Sequence, residues 1–271
     1  MKYADLHLHT TASDGNLSLS EIIYKAKTLG FSAVAITDHD TTEGLEEAVS
    51  VGEKNQIEVI PGIELSTLEG EREIHLLGYY PDPDNTELQL VLKEIINARK
   101  NRAVSMVEKL NALDCELDLN RIKAIAGTEF IGRPHIAKAM QEKGYINDIA
   151  EAFTEAYIGR GGRAYSERFK LSPIEGIKLL LKAGSVPVLA HPGFLSSGPP
   201  LLESEIIPLI NSGLCGIEVF YSRHSPEQEK YYEQLAEKYK LLKTGGSDCH
   251  GNPEAVNHLG SVKLHYIKLE H

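Results

Sequence analysis

Apolar positions along the 271-residue chain alternate between short continuous runs and longer stretches of helical period. "KYADLHL" near the N-terminus reads as a strand. Residues from about 18 to 30 read as a helix that Ser18 or Ser20 can cap and Gly30 can end. "FSAVAIT" is almost wholly apolar, as expected of a parallel strand covered on both faces. A helix from about 42 to 54 follows, then the strands "IEVIPGIEL" and "REIHLLGYY", the latter closing before the turn "PDPDN". From about residue 86 a long amphipathic helix begins, and helix-like pieces continue to about 158 without a convincing strand. The earlier rhythm then resumes with the helix "PIEGIKLLLKAG", the strands "VPVLA" and "LCGIEVF", the helix "PEQEKYYEQLAEKY" and the strand "KLLKTGG". This alternation predicts an α/β domain with a parallel sheet, interrupted by an all-helical insertion. A single (β/α) barrel has about this length, ~250 residues. The expected division is a discontinuous barrel domain over 1–85 and 165–268, an insertion over 86–164, and a tag scar at 269–271.

Composition narrows the class. With 42% hydrophobic residues the chain can bury a sizeable core. Lys+Arg total 28 against 39 Asp+Glu, a net charge of −11. No basic stripe accompanies this balance, so a long nucleic acid is not an expected partner. No run of ~18 apolar residues and no basic-then-hydrophobic leader is present, so no membrane is expected and the cytoplasm is the expected location. Cys115, Cys215 and Cys249 are widely spaced and form no CxxC pair, so they read as small buried hydrophobes rather than a disulfide framework or a zinc ribbon.

Candidate chemistry falls where apolar strands end. "DLHLH" puts His7 and His9 two residues apart on one face of a strand, with Cα atoms ~6.6 Å apart, close enough to share one ion. Asp14 follows in the loop. "AVAITDHDT" delivers Asp38, His39 and Asp40, and "VIPGIEL" delivers Glu64. "EIHLLGY" gives His75, "VLAHPG" gives His191, and "KTGGSDCHG" gives Asp248 and His250. Each alone is an ordinary polar residue at a strand end. Six histidines and three carboxylates recurring at strand C-terminal ends match where α/β barrels collect active-site groups. His258 and His265 lie outside this pattern and read as structural.

The series "DLHLHT…SDG", "TDHDT", "GIE", "IHLLGY", "LAHPG" and "GGSDCHG" resembles the motifs of the PHP (polymerase and histidinol phosphatase) family, and most closely its stand-alone metal-dependent phosphoesterases. The resemblance implies a distorted (β/α)7 TIM-like barrel with a small helical insertion. It also implies two or three divalent metal ions. By motif, His7, His9, Glu64 and Asp248 would hold the first; Glu64 would bridge to a second completed by His75 and His191; Asp14, His39 and His250 would hold a third. Mixed imidazole and carboxylate donors suit Mn²⁺, Fe²⁺ or Zn²⁺. Asp5, Asp38 and Asp40 are candidate acceptors for histidine N–H groups.

Clustered divalent ions generate a hydroxide at neutral pH, neutralise phosphoryl oxygens and orient in-line attack. "IGRPHIAK" sets Arg133 at a predicted helix start, and "YIGRGGRAY" brackets two glycines with Arg160 and Arg163; all three are candidate phosphate-binding cations. His135 and His224 are candidate proton donors, and Tyr221 a candidate pocket residue. The expected function is a metal-dependent hydrolase of a phosphate ester in a small nucleotide, with nucleoside 3′,5′-bisphosphates or short oligoribonucleotide 5′ ends implied by the resemblance. The alternatives are a cyclic nucleotide phosphodiesterase, an amidohydrolase on the same barrel, and a non-catalytic metal-binding module.

Overall fold

The computed structural model describes residues 2–70, 72–127, 131–167, 169–195, 198–252 and 255–265. The expected tag scar at 269–271 lies outside them. The chain divides into two compact units, Met1–Gln89 with Lys170–His271, and Leu90–Phe169.

The first unit is built on one sheet in the order β7-β6-β5-β4-β3-β2-β1-β8. Strands β1 (Tyr3–Leu8), β2 (Ala33–Ile36) and β3 (Glu58–Glu69) run parallel. Helices α1 (Leu19–Thr28) and α2 (Leu45–Asn55) supply the crossovers between them. Ser18 caps α1 through a capping box with Glu21, and Gly30 follows its end at φ +80°. Every residue of β2 is buried, because α1 and α2 lay Ile22, Ile23, Ala26, Leu45 and Ala48 over Val34, Ile36 and Val59. A second cluster of mostly small side chains, Ala4, Ala33, Ala35 and Ala190 with Ile60, Leu77 and Val188, packs beside it.

The sheet departs from the parallel arrangement expected of it at two strands, one inside the sheet and a two-residue one at its edge. Only a tight turn through Gly70 joins β3 to β4 (Arg72–Tyr79), so the two pair antiparallel. Strand β5 (Val186–Leu189) is antiparallel to β4, and β6 (Gly216–Tyr221) and β7 (Leu242–Gly246) run parallel to β5. Helix α7 (Pro173–Lys182) precedes β5, and α9 (Pro226–Tyr239) connects β6 to β7. A helix between β5 and β6, α8 (Glu203–Asn211), was not foreseen from the pattern; it contains Pro208 and starts at an apolar N-cap, Leu202. A two-residue β8 (Leu264–His265) pairs with β1.

The sheet curls until the end of β7 meets β1, giving a nearly closed, distorted barrel. Leu8 pairs with Cys249, and Asp248 N–H donates to His7 O at 2.9 Å. Gly246 permits this approach: a Cβ there would fall 2.4 Å from the Cβ of His7 and 2.5 Å from its backbone nitrogen.

The second unit contains the remainder of α3 (Thr86–Asn111), then α4 (Leu119–Ala126), α5 (Arg133–Glu142) and the short α6 (Ile149–Ala152). It has its own core, in which Met106, Leu110, Ile122, Ile136, Met140 and Ile158 are buried together. No helix among the described residues is long and apolar enough to cross a membrane. All three cysteines are free.

Candidate metal centre

Backbone pairings at the strand ends bring distant motifs side by side. Beyond β1, His9 N–H donates to Cys249 O at 3.1 Å, which sets His7 and His9 against Asp248. Beyond β2, Asp40 N–H donates to Glu64 O and Glu64 N–H to Asp38 O, so His39 and Glu64 form a bridge. Between β4 and β5, Ala190 N–H donates to His75 O and sets His75 beside His191. Asn16 N–H donates to His250 O at 2.8 Å, tying the loop that carries Asp14 to the segment after β7. Asp40, His191 and Asp248 all take positive φ, at 54°, 26° and 56°. Such left-handed backbone in non-glycine residues persists where surrounding structure enforces it, and it clusters at functional sites.

Glu64 lies at the centre and is fully buried. Five imidazole nitrogens surround its two oxygens: His75 at 2.9 Å and His191 at 3.0 Å from Oε1, and His39 at 3.1 Å, His9 at 3.2 Å and His7 at 3.3 Å from Oε2. Asp248 Oδ1 stands 3.0 Å from His9 Nε2 and 3.5 Å from His7 Nε2. Asp14 Oδ1 stands 3.2 Å from His250 Nε2, and Asp14 Oδ2 3.9 Å from His39 Nε2. All nine side chains read from the motifs are thus neighbours. Three groups have donor atoms within 4.8 Å of one another: His7, His9, Glu64 and Asp248; His9, Asp14, His39 and His250; and His39, Glu64 and His75. His9 and His39 each fall in two groups, whereas the motif reading gave each to one ion.

These donors fit divalent metal. His7 Nδ1–H donates to Glu218 Oε1 at 3.1 Å, His191 Nδ1–H to Phe194 O at 3.2 Å, and His250 Nδ1–H to Asp248 O at 3.0 Å. With Nδ1 so engaged, each ring turns a bare Nε2 towards a carboxylate. Two lone pairs facing each other at ~3 Å repel unless a proton or a cation lies between them. Although close to carboxylates, His7 Nε2, His9 Nε2 and Glu64 Oε2 are buried and aligned with no hydrogen-bond partner. Buried polar atoms are rarely left so, and a coordinated cation satisfies them together.

Without metal, protons fill this role. Burial pushes the His9 imidazole down, but Asp248 and Glu64 more than offset it and hold it at about 10. His7 is likewise held well above its usual range, burial being outweighed by Glu218, Glu64 and Asp248. Burial wins at His39, pushing it down to about 4. Glu64 and Asp248 stay well below the usual carboxylate range: burial opposes this, but the surrounding histidines overcome it.

The aspartates expected to accept histidine N–H groups have other work. Asp38 accepts from Thr10 N and Thr10 Oγ1, both at 2.7 Å, and from Ser13 Oγ, fastening the loop after β1. Asp40 accepts from Ser66 N, and Asp5 from Ser247 N and His7 N. Burial pushes Asp5 up to about 7. Outside the nine motif residues, Glu218 engages the ring N–H of His7; it went unnoticed in the sequence inside the apolar strand "GIEVFY". An acidic residue within a run otherwise fit for burial was the available signal.

His224 does not suit the expected proton donor. Its Nδ1–H donates to Val219 O at 2.9 Å and its Nε2 accepts from Gly193 N at 3.1 Å, so both nitrogens serve the backbone, and burial pulls the imidazole down. Tyr221 is buried and donates through its hydroxyl to Asp248 Oδ2 at 2.9 Å, which orients that carboxylate. In the second unit, Arg133 opens α5 behind the N-cap Gly132, and its guanidinium lies over the Phe153 ring at 5.5 Å. His135 Nδ1 accepts from Gly132 N at 3.1 Å. Arg160 and Arg163 are exposed. The sequence reading passed over Arg102, on α3: burial pushes its guanidinium down to about 10, with Arg133 and Arg99 adding to the effect. It borders a cavity of about 530 Å³ together with Lys109, Ser105, Tyr165 and Ser166.

Six imidazoles and three carboxylates gathered at the strand ends of a nearly closed barrel define a metal-dependent hydrolase. The PHP domain matches residues 5–158. The chain is 30% identical to the 3′,5′-nucleoside bisphosphate phosphatase of Chromobacterium violaceum, over 97% of this chain and 92% of that protein. It is 28% identical to the phosphoribosyl 1,2-cyclic phosphate 1,2-diphosphodiesterase of Eggerthella lenta, over 94% of this chain and 97% of that protein. A crystal structure from Bifidobacterium adolescentis, provisionally described as a metal-dependent phosphoesterase, aligns with a TM-score of 0.81 and 32% identity, over 95% of this chain and 90% of that one. The chain belongs to the PHP domain family.

Proposed function

We propose that this chain hydrolyses a phosphoric ester of a small nucleotide, with a nucleoside 3′,5′-bisphosphate as the first choice of substrate. The observation that carries the reading is the buried carboxylate of Glu64 ringed by five imidazole nitrogens. Two or three divalent ions would be held, by His7, His9, Glu64 and Asp248, by Glu64, His75 and His191, and by Asp14, His39 and His250. Bound there, Mn²⁺, Fe²⁺ or Zn²⁺ supplies Lewis acidity towards phosphoryl oxygens and lowers the pKa of water.

The protein's own residues prepare that site. Phe194 O, Asp248 O and Glu218 fix three ring tautomers with Nε2 inward, and Tyr221 steers Asp248. Burial of Glu64, His7 and His9 excludes water from the donor atoms and strengthens every charge interaction among them. Arg133 is our choice for the anion-binding cation, its fork suited to two phosphoryl oxygens. His135, whose Nδ1 accepts from Gly132, carries its proton on Nε2 and is our choice of proton donor.

Support for the nucleotide comes from the C. violaceum relative, at 30% identity over nearly the whole chain. A second reading, a cyclic phosphate ester, rests on the E. lenta relative of similar coverage. Phosphate release from 3′,5′-bisphosphates, cyclic phosphate esters and 5′-phosphorylated oligoribonucleotides by the metal-loaded protein separates them. Turnover of the bisphosphate at least tenfold above the others is expected. No turnover of any panel member at saturating concentration would overturn the nucleotide reading.

A further inference from the structure

Glu218 sits in the middle of β6, fully buried within an apolar strand. Its carboxylate faces two segments that are far apart in sequence. Oε1 and Oε2 lie 3.1 Å and 3.3 Å from His7 Nδ1, and Oε2 accepts the backbone N–H of His191 at 2.8 Å. A buried carboxylate is expensive unless it is hydrogen-bonded, and these contacts supply that compensation. One end fixes which nitrogen of His7 carries hydrogen, leaving Nε2 towards Glu64 and Asp248. The other holds the backbone of His191, whose φ of 26° is unfavourable for a side chain bearing a Cβ, so that its Nε2 meets Glu64 Oε1 at 3.0 Å.

We infer that Glu218 is a positioning residue that couples two metal positions, by orienting His7 of the Asp248-containing group and seating His191, whose Nε2 faces Glu64 Oε1 and which the proposed function assigns to the ion shared with His75. The inference rests on the metal-binding reading of those histidines and adds a residue outside the nine motif positions. A carboxylate on the far nitrogen of a metal-ligating histidine typically changes metal affinity by about 10–100-fold. Because Glu218 serves both groups, its loss affects more than one ion.

The test compares wild type with Glu218→Gln and Glu218→Ala by titration with Mn²⁺ or Zn²⁺, by elemental analysis, and by melting of the stripped proteins. The NMR signature of the His7 ring tautomer is recorded in parallel. The amide in Glu218→Gln keeps the shape and one acceptor. It is expected to leave the stripped protein folded, to mix the His7 tautomers, and to weaken binding of at least two ions about tenfold or more. Glu218→Ala is expected to weaken both further. A folded Glu218→Gln protein with wild-type stoichiometry and affinity overturns the inference, as does weakening confined to one ion. A Glu218→Gln protein that fails to fold without metal overturns it in favour of a purely structural role. Failure of wild type to bind metal would instead refute the underlying reading.

Discussion

The rim of the barrel and the helical insertion carry charge in different ways. At the rim, nine donors come from short motifs at strand ends, and the sheet leaves few ways to arrange them: when β1 meets the segment after β7, His7, His9 and Asp248 must be neighbours. In the insertion, the cations Arg102, Arg133 and Arg160 come from α3, from the start of α5 and from a loop after α6. Their neighbourhood follows from how helices pack around Met106, Ile136 and their companions, which no local motif encodes. The rim therefore discloses its chemistry in local motifs, whereas the arrangement of cations in the insertion follows only from packing.

The largest effect that would sharpen this contrast is metal removal. If two sites are each filled at a hundredfold excess over Kd, stripping should cost about 5 kcal/mol of stability, concentrated in the barrel unit and read by hydrogen exchange. The difference should widen from pH 6 to pH 9. In the stripped protein His9 is held up at about 10, so its contribution is complete below its ordinary value near 6.5 and is lost as pH rises through 10. His39, pushed down to about 4, acts oppositely: its contribution is lost as pH falls from 6.5 towards 4. An equal loss of protection in residues 90–169 would break the contrast.

Next in size, Glu64→Gln should lower kcat/KM about a thousandfold, some 4 kcal/mol, with a parallel loss of bound metal. Retention of full metal content by this variant would remove Glu64 from the centre of the site. Arg133→Ala should cost about 2 kcal/mol in kcat/KM and leave metal content unchanged. An unchanged rate would instead favour an amidohydrolase, which needs no phosphate anchor. Smallest, Asp118→Ala removes the N-cap of α4, whose side chain accepts from Asn120 N at 2.9 Å. About 1 kcal/mol of stability should be lost, with metal binding untouched.

Much of the fold was legible in the chain because its barrel strands are short apolar runs bounded by turn residues, as "FSAVAIT" is. The direction of β4 was not inferred, although the few residues between "GIELSTLE" and "REIHLLGY" are too short for a parallel crossover. Helix α8 escaped because Pro208 interrupts its pattern and Leu202 offers no side-chain cap. At the site, spacing pointed to His7 and His9, since residues two apart on a strand share a face. Glu218 was hidden because its role depends on closure of the sheet, which leaves only β7 between β6 and β1, a relation that exists only after folding. The partners of Asp38 and His224 were not legible for the same reason: a carboxylate or imidazole looks alike in sequence whether it serves a ring, a loop or a backbone carbonyl.

The most direct test of the central claim is elemental analysis of the purified protein, before and after chelation and reconstitution, paired with phosphate release from a nucleoside 3′,5′-bisphosphate. Two or three divalent ions per chain, with phosphate release that disappears on chelation and returns on reconstitution, are expected. A protein that binds no metal after reconstitution, or releases phosphate equally well without it, would contradict the account.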